Sequence, residues 1–531
     1  MDRIKEEILQ GHCILGIELG STRIKAILID STNTPIAQGG YDWENSLIDG
    51  VWTYSLETVK IGIQTCFAAM KHDVMEKYHT EITSFKAMGI SAMMHGYIAL
   101  DKEDNLLTPF RTWRNTFTHE ASNQLAQLFD YPVPERWTIS HLYYSIMENL
   151  DHVKSISYVT TLAGYVHYIL TGEKVIGIGD ASGMFPIDDT IHDYNKKFIG
   201  IFDSLVKDKG YSWDIYHVLP QVKVAGENAG HLSSEGALIL DPTGETKPGI
   251  PLCPPEGDAG TGMVATNSIA KNTGNVSAGT SVFAMVVLEK QLSHSYHNLI
   301  DLVTTPDGHP VAMVHASNCT GEYDKWIGLF DEVLSATGNT ISKGGLYDKL
   351  LTKALEGDKD CGGLIPYNYL SGETIVGIKS GRPLFTRTHN CHFTLANFMR
   401  AQLFTSVAAL RVGMDILFEK EGVTISAING HGGFFKTKEV GQRIMASALH
   451  TPVSILETAG EGGAWGIALL ASFLVNNENK DLQSFLQTKV FGKSKAYTIT
   501  PTNEDIEGFN AFLVNFKKGL PIETTAENSL S

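Results

Sequence analysis

Two stretches about half the chain apart repeat one device: an apolar run, a glycine followed by two hydroxyl residues, and a second apolar run. The first is Cys13 to Asp30, CILGIELGSTRIKAILID, turning at Gly20-Ser21-Thr22. The second lies within Pro254 to Val287, where NVSAGTSVFAMVV turns at Gly279-Thr280-Ser281. Each reads as a β-hairpin whose tip offers backbone N–H groups and hydroxyls to an anion. A hairpin used twice at this separation predicts two like domains, each contributing one tip to a cleft. Two turns that merely resemble each other are the alternative.

The second copy follows an acid set among glycines, Gly257-Asp258-Ala259-Gly260-Thr261-Gly262, which reads as a glycine-rich acidic loop. Glycine permits close approach and turns at positive φ. One carboxylate beside an anion cradle suggests phosphoryl transfer.

The 531 residues exceed the size at which single cores stop growing, so two large domains, or three, are expected, and the apolar and charged fractions of 43% and 19% are those of a globular chain. A net charge of -17 argues against coating nucleic acid or anionic membrane, since both demand basic patches. The six cysteines form no CxxC pair, so neither a zinc site nor a disulfide framework is suggested, and reduced thiols point to the cytoplasm. The longest apolar run, Ala464 to Val475, is shorter than the roughly 20 residues of a membrane span. Partners are therefore expected to be small molecules, with a homodimer kept open.

Phe85 to Leu100 reads as two strands joined near Met93-Met94-His95-Gly96, where the His95 imidazole either reaches a cleft or serves the core. Trp113, in the irregular segment Leu106 to Asn115, either stacks on a sugar face or packs. Ser157 to Leu170 reads as a buried helix stopped at Thr171-Gly172, and Gly177 to Pro186 as a loop carrying Asp180. Asn397 to Phe418 has the spacing of a long core helix. Ile425 to Ala448 is a strand, a turn at His431-Gly432-Gly433-Phe434-Phe435 and a helix from about Thr437, an arrangement that suits nucleotides although it lacks the Rossmann and P-loop signatures. Glu461 to Leu474 reads as a glycine-started buried helix, and the polar tail from about Gly519 as frayed.

Phosphoryl transfer needs donors to the phosphates, a divalent ion, a carboxylate to deprotonate the attacking hydroxyl, and exclusion of water. The hairpin tips, Glu18 through water and Asp258 are the candidates for the first three.

The series IELGSTRIKAIL, MMHG, GDASGMF, PEGDAGTGMVA, SAGTS, LIPYNYLSGE, NFMRAQLFTSVAALR, NGHGGFFKT and EGGAWGIALLA resembles, in order and spacing, the FGGY carbohydrate kinases of the actin-like and hexokinase superfamily. The resemblance implies an α/β fold of two ribonuclease-H-like domains flanking a nucleotide cleft, here 1–253 and 254–531, with ATP and Mg²⁺ as cofactors. It implies Asp258 as catalytic base and Gly20, Ser21 and Thr22 as first phosphate loop. Gly279, Thr280 and Ser281 match the second phosphate loop, and Gly432, Gly433 and Phe434 the adenosine-binding turn. Met94, His95 and Gly96 are most similar to the sugar-contacting segment of xylulokinases, as is Asp180-Ala181-Ser182-Gly183 to another of their patterns, and Trp113 falls in their substrate loop. A ketopentose such as xylulose is then the expected substrate, with another ketose or a polyol, or a non-kinase regulator of the same fold, as alternatives. Two departures stand out: Glu18 replaces the family's Asp at the metal, and Trp113-Arg114-Asn115-Thr116-Phe117 lacks the Asp and Arg that follow the Trp in xylulokinases.

Overall fold

In a computed structural model describing residues 2–457 and 462–530, both hairpins form and each nucleates its own sheet. Ile14–Leu19 (β1) and Arg23–Ile29 (β2) pair antiparallel from Ile14↔Ile29 to Leu19↔Ile24 around the Gly20-Ser21-Thr22 tip. Pro35–Asp42 (β3) continues the meander beside β2. On the other edge of β1 lies Ala87–Ala92 (β4), parallel to it, and then Glu256–Gly257 (β5), parallel to β4. The order is β5-β4-β1-β2-β3.

The second copy is built the same way. Thr273–Ala278 (β6) and Val282–Val287 (β7) pair antiparallel around Gly279-Thr280-Ser281, and Pro310–Ala316 (β8) flanks β7. Ala427–His431 (β9) runs parallel to β6, and Val453–Leu456 (β10) parallel to β9, with Ala496–Ile499 (β11) antiparallel at the edge. In both sheets the hairpin lies in the middle, with a further strand beside its second arm and two parallel strands beside its first; the second sheet adds a strand at each edge, Asp301–Thr304 and β11.

The chain divides into two compact units that do not follow the 253/254 boundary. One comprises Met1–Ile269, Leu302–Val311 and Glu461–Ser494; the other comprises Ala270–Asp301, Ala312–Gly460 and Lys495–Ser531. Asp258, expected with the C-terminal half, belongs to the first unit because β5 directly before it is paired into the first sheet.

The glycine-rich acidic stretch is a helix, Asp258–Ala265, rather than a loop. It packs against the helix Gly462–Asn476 through a glycine of that helix: a Cβ on Gly466 would lie 2.0 Å from the Thr261 carbonyl oxygen. The same helix lies against β1, where a Cβ on Gly16 would come 2.2 Å from the Ala464 carbonyl oxygen. Glu461, the first residue of the predicted helix, lies outside the described residues.

Other local readings are corrected. Ser157 to Leu170 splits into a strand, Tyr158–Thr160, and a helix, Leu162–Thr171, capped by Thr161, whose hydroxyl accepts the Gly164 N–H. Asp180 sits on a helical turn, Ile178–Ala181, rather than in a loop. The polar tail is ordered into the helix Asn503–Ser529, since Tyr367 donates its hydroxyl to the Phe516 carbonyl and Arg382 N–H donates to buried Glu523. In the second unit the predicted core helix is Leu395–Asp415, almost wholly buried. With its continuation to Lys420 it is long and apolar enough to cross a membrane, but 83% of its apolar window is buried inside the protein, as in a core helix.

Candidate active site

Parallel pairing of β4 and β5 fixes the central contact. Ser91 faces Glu256 and Ala92 faces Gly257, so the residues leaving the two strands meet at one level. Asp258 leaves β5 and opens its helix; Met94 leaves β4 and donates its N–H to Asp258 Oδ1 at 3.1 Å. His95 and Gly96 then turn the chain in the left-handed region, at φ 72° and 97°. The buried His95 ring lies 3.4 Å, through Nδ1, from the Gly183 carbonyl oxygen, and burial, with nearby Arg136, keeps it neutral by holding its pKa well below the ordinary value. Asp258 is open to solvent yet crowded by protein. Crowding pushes its carboxyl above the usual carboxylate range, while the amides of Met94 and Ala259 pull it back.

Glu18 stands one residue from the end of β1, opposite Ser91 of β4. The helix Gly462–Asn476 reaches it: Ala464 N–H donates to Glu18 Oε2 at 3.0 Å, and a Cβ on Gly463 would come 2.3 Å from Oε1. Burial, and then the charge of Asp258, push the Glu18 carboxyl up to about 7. Asp258 and Glu18 thus share one electrostatic environment.

Two further acids lie behind Asp258. Glu256, wholly buried on β5, accepts the N–H of Gly179 at 3.2 Å and of Asp180 at 2.9 Å. Asp180, also buried, accepts the Thr161 hydroxyl at 2.6 Å, and its other oxygen lies under Gly257, where a Cβ would approach to 3.2 Å. Burial drives their pKa values up to about 7 for Asp180 and about 8 for Glu256, each aided by a neighbouring carboxylate. Sequence reasoning passed over Glu256; an acid two residues before the candidate base, in an otherwise apolar and glycine-rich run, was the available signal.

Three aromatic side chains clamp the first glycine-hydroxyl tip. Trp43 Nε1 donates to the Gly20 carbonyl at 2.7 Å, the Tyr54 hydroxyl to the Ser21 carbonyl at 2.5 Å, and Trp113 Nε1 to Ser21 Oγ at 3.1 Å. Trp43 N–H also donates to the Thr22 carbonyl at 3.1 Å. Trp43 and Tyr54 are stacked with centroids 4.2 Å apart. Asn115 is spent on the backbone: its Oδ1 accepts from Trp52 N at 2.8 Å and its Nδ2 donates to the carbonyls of Trp52 and Thr112 at 2.8 and 3.0 Å. The first unit therefore gathers Glu18, the Ser21 loop, Met94, His95, Gly96, Trp113 and Asp258.

In the second unit the other two predicted elements adjoin. Parallel pairing of β6 with β9 puts Ser277 opposite His431, so Gly279-Thr280-Ser281 and Gly432-Gly433 leave neighbouring strands at the same end. Gly432, at φ 100°, passes so near that a Cβ would lie 2.4 Å from the Ala278 carbonyl oxygen. Gly432 and Gly433 are exposed, but Phe434 is 2% exposed and packs edge-on against Phe435. The turn's outer surface is therefore glycine backbone.

Residues 13–252 match the N-terminal domain, and residues 274–475 the C-terminal domain, of the FGGY family of carbohydrate kinases. The chain belongs to the FGGY family. This FGGY kinase is 22% identical over 501 residues to a xylulose kinase of Haemophilus influenzae, covering 91% of the chain and 95% of that protein. It is 23% identical over 486 residues to a gluconokinase of Bacillus subtilis, covering 87% of each. The fold is that of a solved xylulose kinase from Rhodospirillum rubrum, with a TM-score of 0.78 at 17% identity over 97% of this chain and 100% of that one. FGGY membership makes the protein a phosphotransferase acting on a carbohydrate.

Proposed function

We propose that this FGGY kinase transfers the γ-phosphoryl group of ATP to a terminal hydroxyl of a ketopentose, with xylulose the preferred acceptor and Asp258 the base. The observation that carries the reading is the Asp258 carboxylate, open to solvent and held by the N–H of Met94 in the segment that resembles a sugar contact. As the new O–P bond forms and the bond to the ADP oxygen breaks, Asp258 takes the hydroxyl proton. A pKa raised by crowding makes it a stronger proton acceptor than a free aspartate. Amides and hydroxyls of Gly20, Ser21 and Thr22, and of Gly279, Thr280 and Ser281, serve as phosphate donors, and the Gly432-Gly433 backbone receives the adenosine.

Mg²⁺ fits the residues present: the charge of Asp258 raises the Glu18 carboxyl, a repulsion that a dication relieves, and Mg²⁺ commonly uses few protein ligands alongside water and phosphate oxygens. Glu18 would hold it, and the ion would neutralise phosphate charge.

Asp258→Asn preserves shape and removes the basic oxygen. In a coupled ADP assay with xylulose, ribulose, glycerol and gluconate at saturating ATP, the variant is expected to lose at least about 10²-fold in kcat on the preferred acceptor, the lower range for removing a general base. Full sugar-dependent ADP release by Asp258→Asn would remove Asp258 from the chemistry. The panel ranks acceptors; the spending of Asn115 on the Trp52 backbone is the observation that keeps acceptors other than xylulose in the comparison.

A further inference from the structure

The contact between Trp113 and Ser21 carries information about proton direction. An indole nitrogen only donates, so in the 3.1 Å contact the Ser21 oxygen is the acceptor and its own hydroxyl proton is left to point elsewhere. The loop's carbonyls are treated alike: Gly20 O is taken by Trp43 and Ser21 O by Tyr54. With these acceptors occupied by aromatic donors, the tip's outward capacity is donation, the polarity an anionic phosphoryl group requires. Trp113 is itself fixed. The Arg114 guanidinium lies 5.6 Å from its ring centroid and 5.2 Å from that of Trp52, and Arg114 also donates to Asn45 Oδ1 at 3.2 Å. Yet the indole is 39% exposed, leaving ring surface for another molecule.

We infer that Trp113 is a positioning residue for phosphoryl transfer: its indole N–H occupies the Ser21 oxygen and thereby aims the Ser21 hydroxyl proton at the phosphoryl group, while its exposed ring meets the acceptor sugar. One side chain then ties acceptor seating to the donor polarity of the first phosphate loop. The inference rests on the reading of Gly20-Ser21-Thr22 as a phosphate loop given above.

The experiment compares Trp113→Phe, Ser21→Ala, Ser21→Thr and the Trp113→Phe/Ser21→Ala double variant in the full-length protein. Trp113→Phe keeps an aromatic ring but removes the N–H together with the five-membered ring that carries it. It is expected to lower kcat about tenfold with the sugar KM within about twofold; Ser21→Ala should lower kcat by about ten- to hundredfold, and the double variant no further than Ser21→Ala. Ser21→Thr, which keeps the hydroxyl, should retain activity within about threefold of wild type. An unchanged kcat in Trp113→Phe, a loss confined to sugar KM, or losses that multiply in the double variant would each overturn the inference.

A second readout needs no sugar. Affinity for a non-hydrolysable ATP analogue should fall non-additively in the same variants while ADP affinity stays constant, a pattern general loosening would not give. Equal losses for both nucleotides would count against the inference. Failure of every sugar in the panel would instead undo the proposed acceptor class, leaving this nucleotide comparison to decide the role of Trp113.

Discussion

Glu256 and Asp180 are carboxyls whose burial favours the protonated form, and this gives the first unit a pH signature. Burial raises both above the ordinary carboxylate range, to about 8 and about 7, and Glu18 at about 7 adds in the same direction. Between about pH 4.5 and 8 the folded protein holds protons that the unfolded chain has released, so stability falls as pH rises through that window and levels off above it. Glu256→Gln removes the largest contributor while keeping an oxygen for one of the two amides, Gly179 N–H on Oε1 or Asp180 N–H on Oε2. Thermal melts at pH 5.5 and 8.5 should show a smaller loss of Tm across that interval for Glu256→Gln than for wild type. An equal loss would mean that Glu256 is ionised throughout. Such acids are hard to read from sequence, because the letters PPEGDAG distinguish neither which acid is buried nor which is open to solvent. Only the pairing of β5 with β4 separates them: it buries Glu256 and releases Asp258 at the strand end.

At the level of elements, the glycines of the helix Asp258–Ala265 and of its neighbour Gly462–Asn476 differ sharply in what they do. Gly466 faces the Thr261 carbonyl with no room for a Cβ, whereas nothing lies within 4 Å of a Cβ placed on Gly262. Gly466→Ala should therefore cost about 1–3 kcal/mol through overpacking. Gly262→Ala should be neutral or should stabilise by about 0.5–1 kcal/mol through helix propensity. Thermal melts of the two variants check this, and equal effects would contradict the packing argument. This also explains the sequence misreading. Three glycines in six residues are the composition of a loop, and GDAGTG looked like one because the helix that packs on it, through Gly466, is some 200 residues away in sequence. The hairpins and the helix Leu395–Asp415 were legible because their signals are local: alternation around a Gly-hydroxyl tip, and apolar residues at helical spacing. The C-terminal helix was not, because its hold comes from distant partners such as Tyr367 and Arg382.

For the whole molecule, the recurrence of one strand order in two sheets coexists with connectivity that is not sequential. The first sheet needs β5, and its β1 face needs the helix Gly462–Asn476, so a fragment ending at residue 253 lacks both an edge strand and a cover. Such a fragment is expected to stay largely unfolded or to aggregate. A fragment joining residues 1–269 to 461–494 by a flexible linker should melt cooperatively by circular dichroism. Cooperative melting of residues 1–253 alone would show that the helix is dispensable.

The late position of that helix also has a consequence for synthesis in the cell. A bacterial or eukaryotic ribosome adds about 5–20 residues per second, so roughly 10–40 s separate the emergence of residue 269 from that of residue 476. During that interval the Gly16 face of β1 is without its native cover. Nascent chains of this kinase are accordingly expected to be clients of ribosome-associated chaperones until the helix Gly462–Asn476 has emerged.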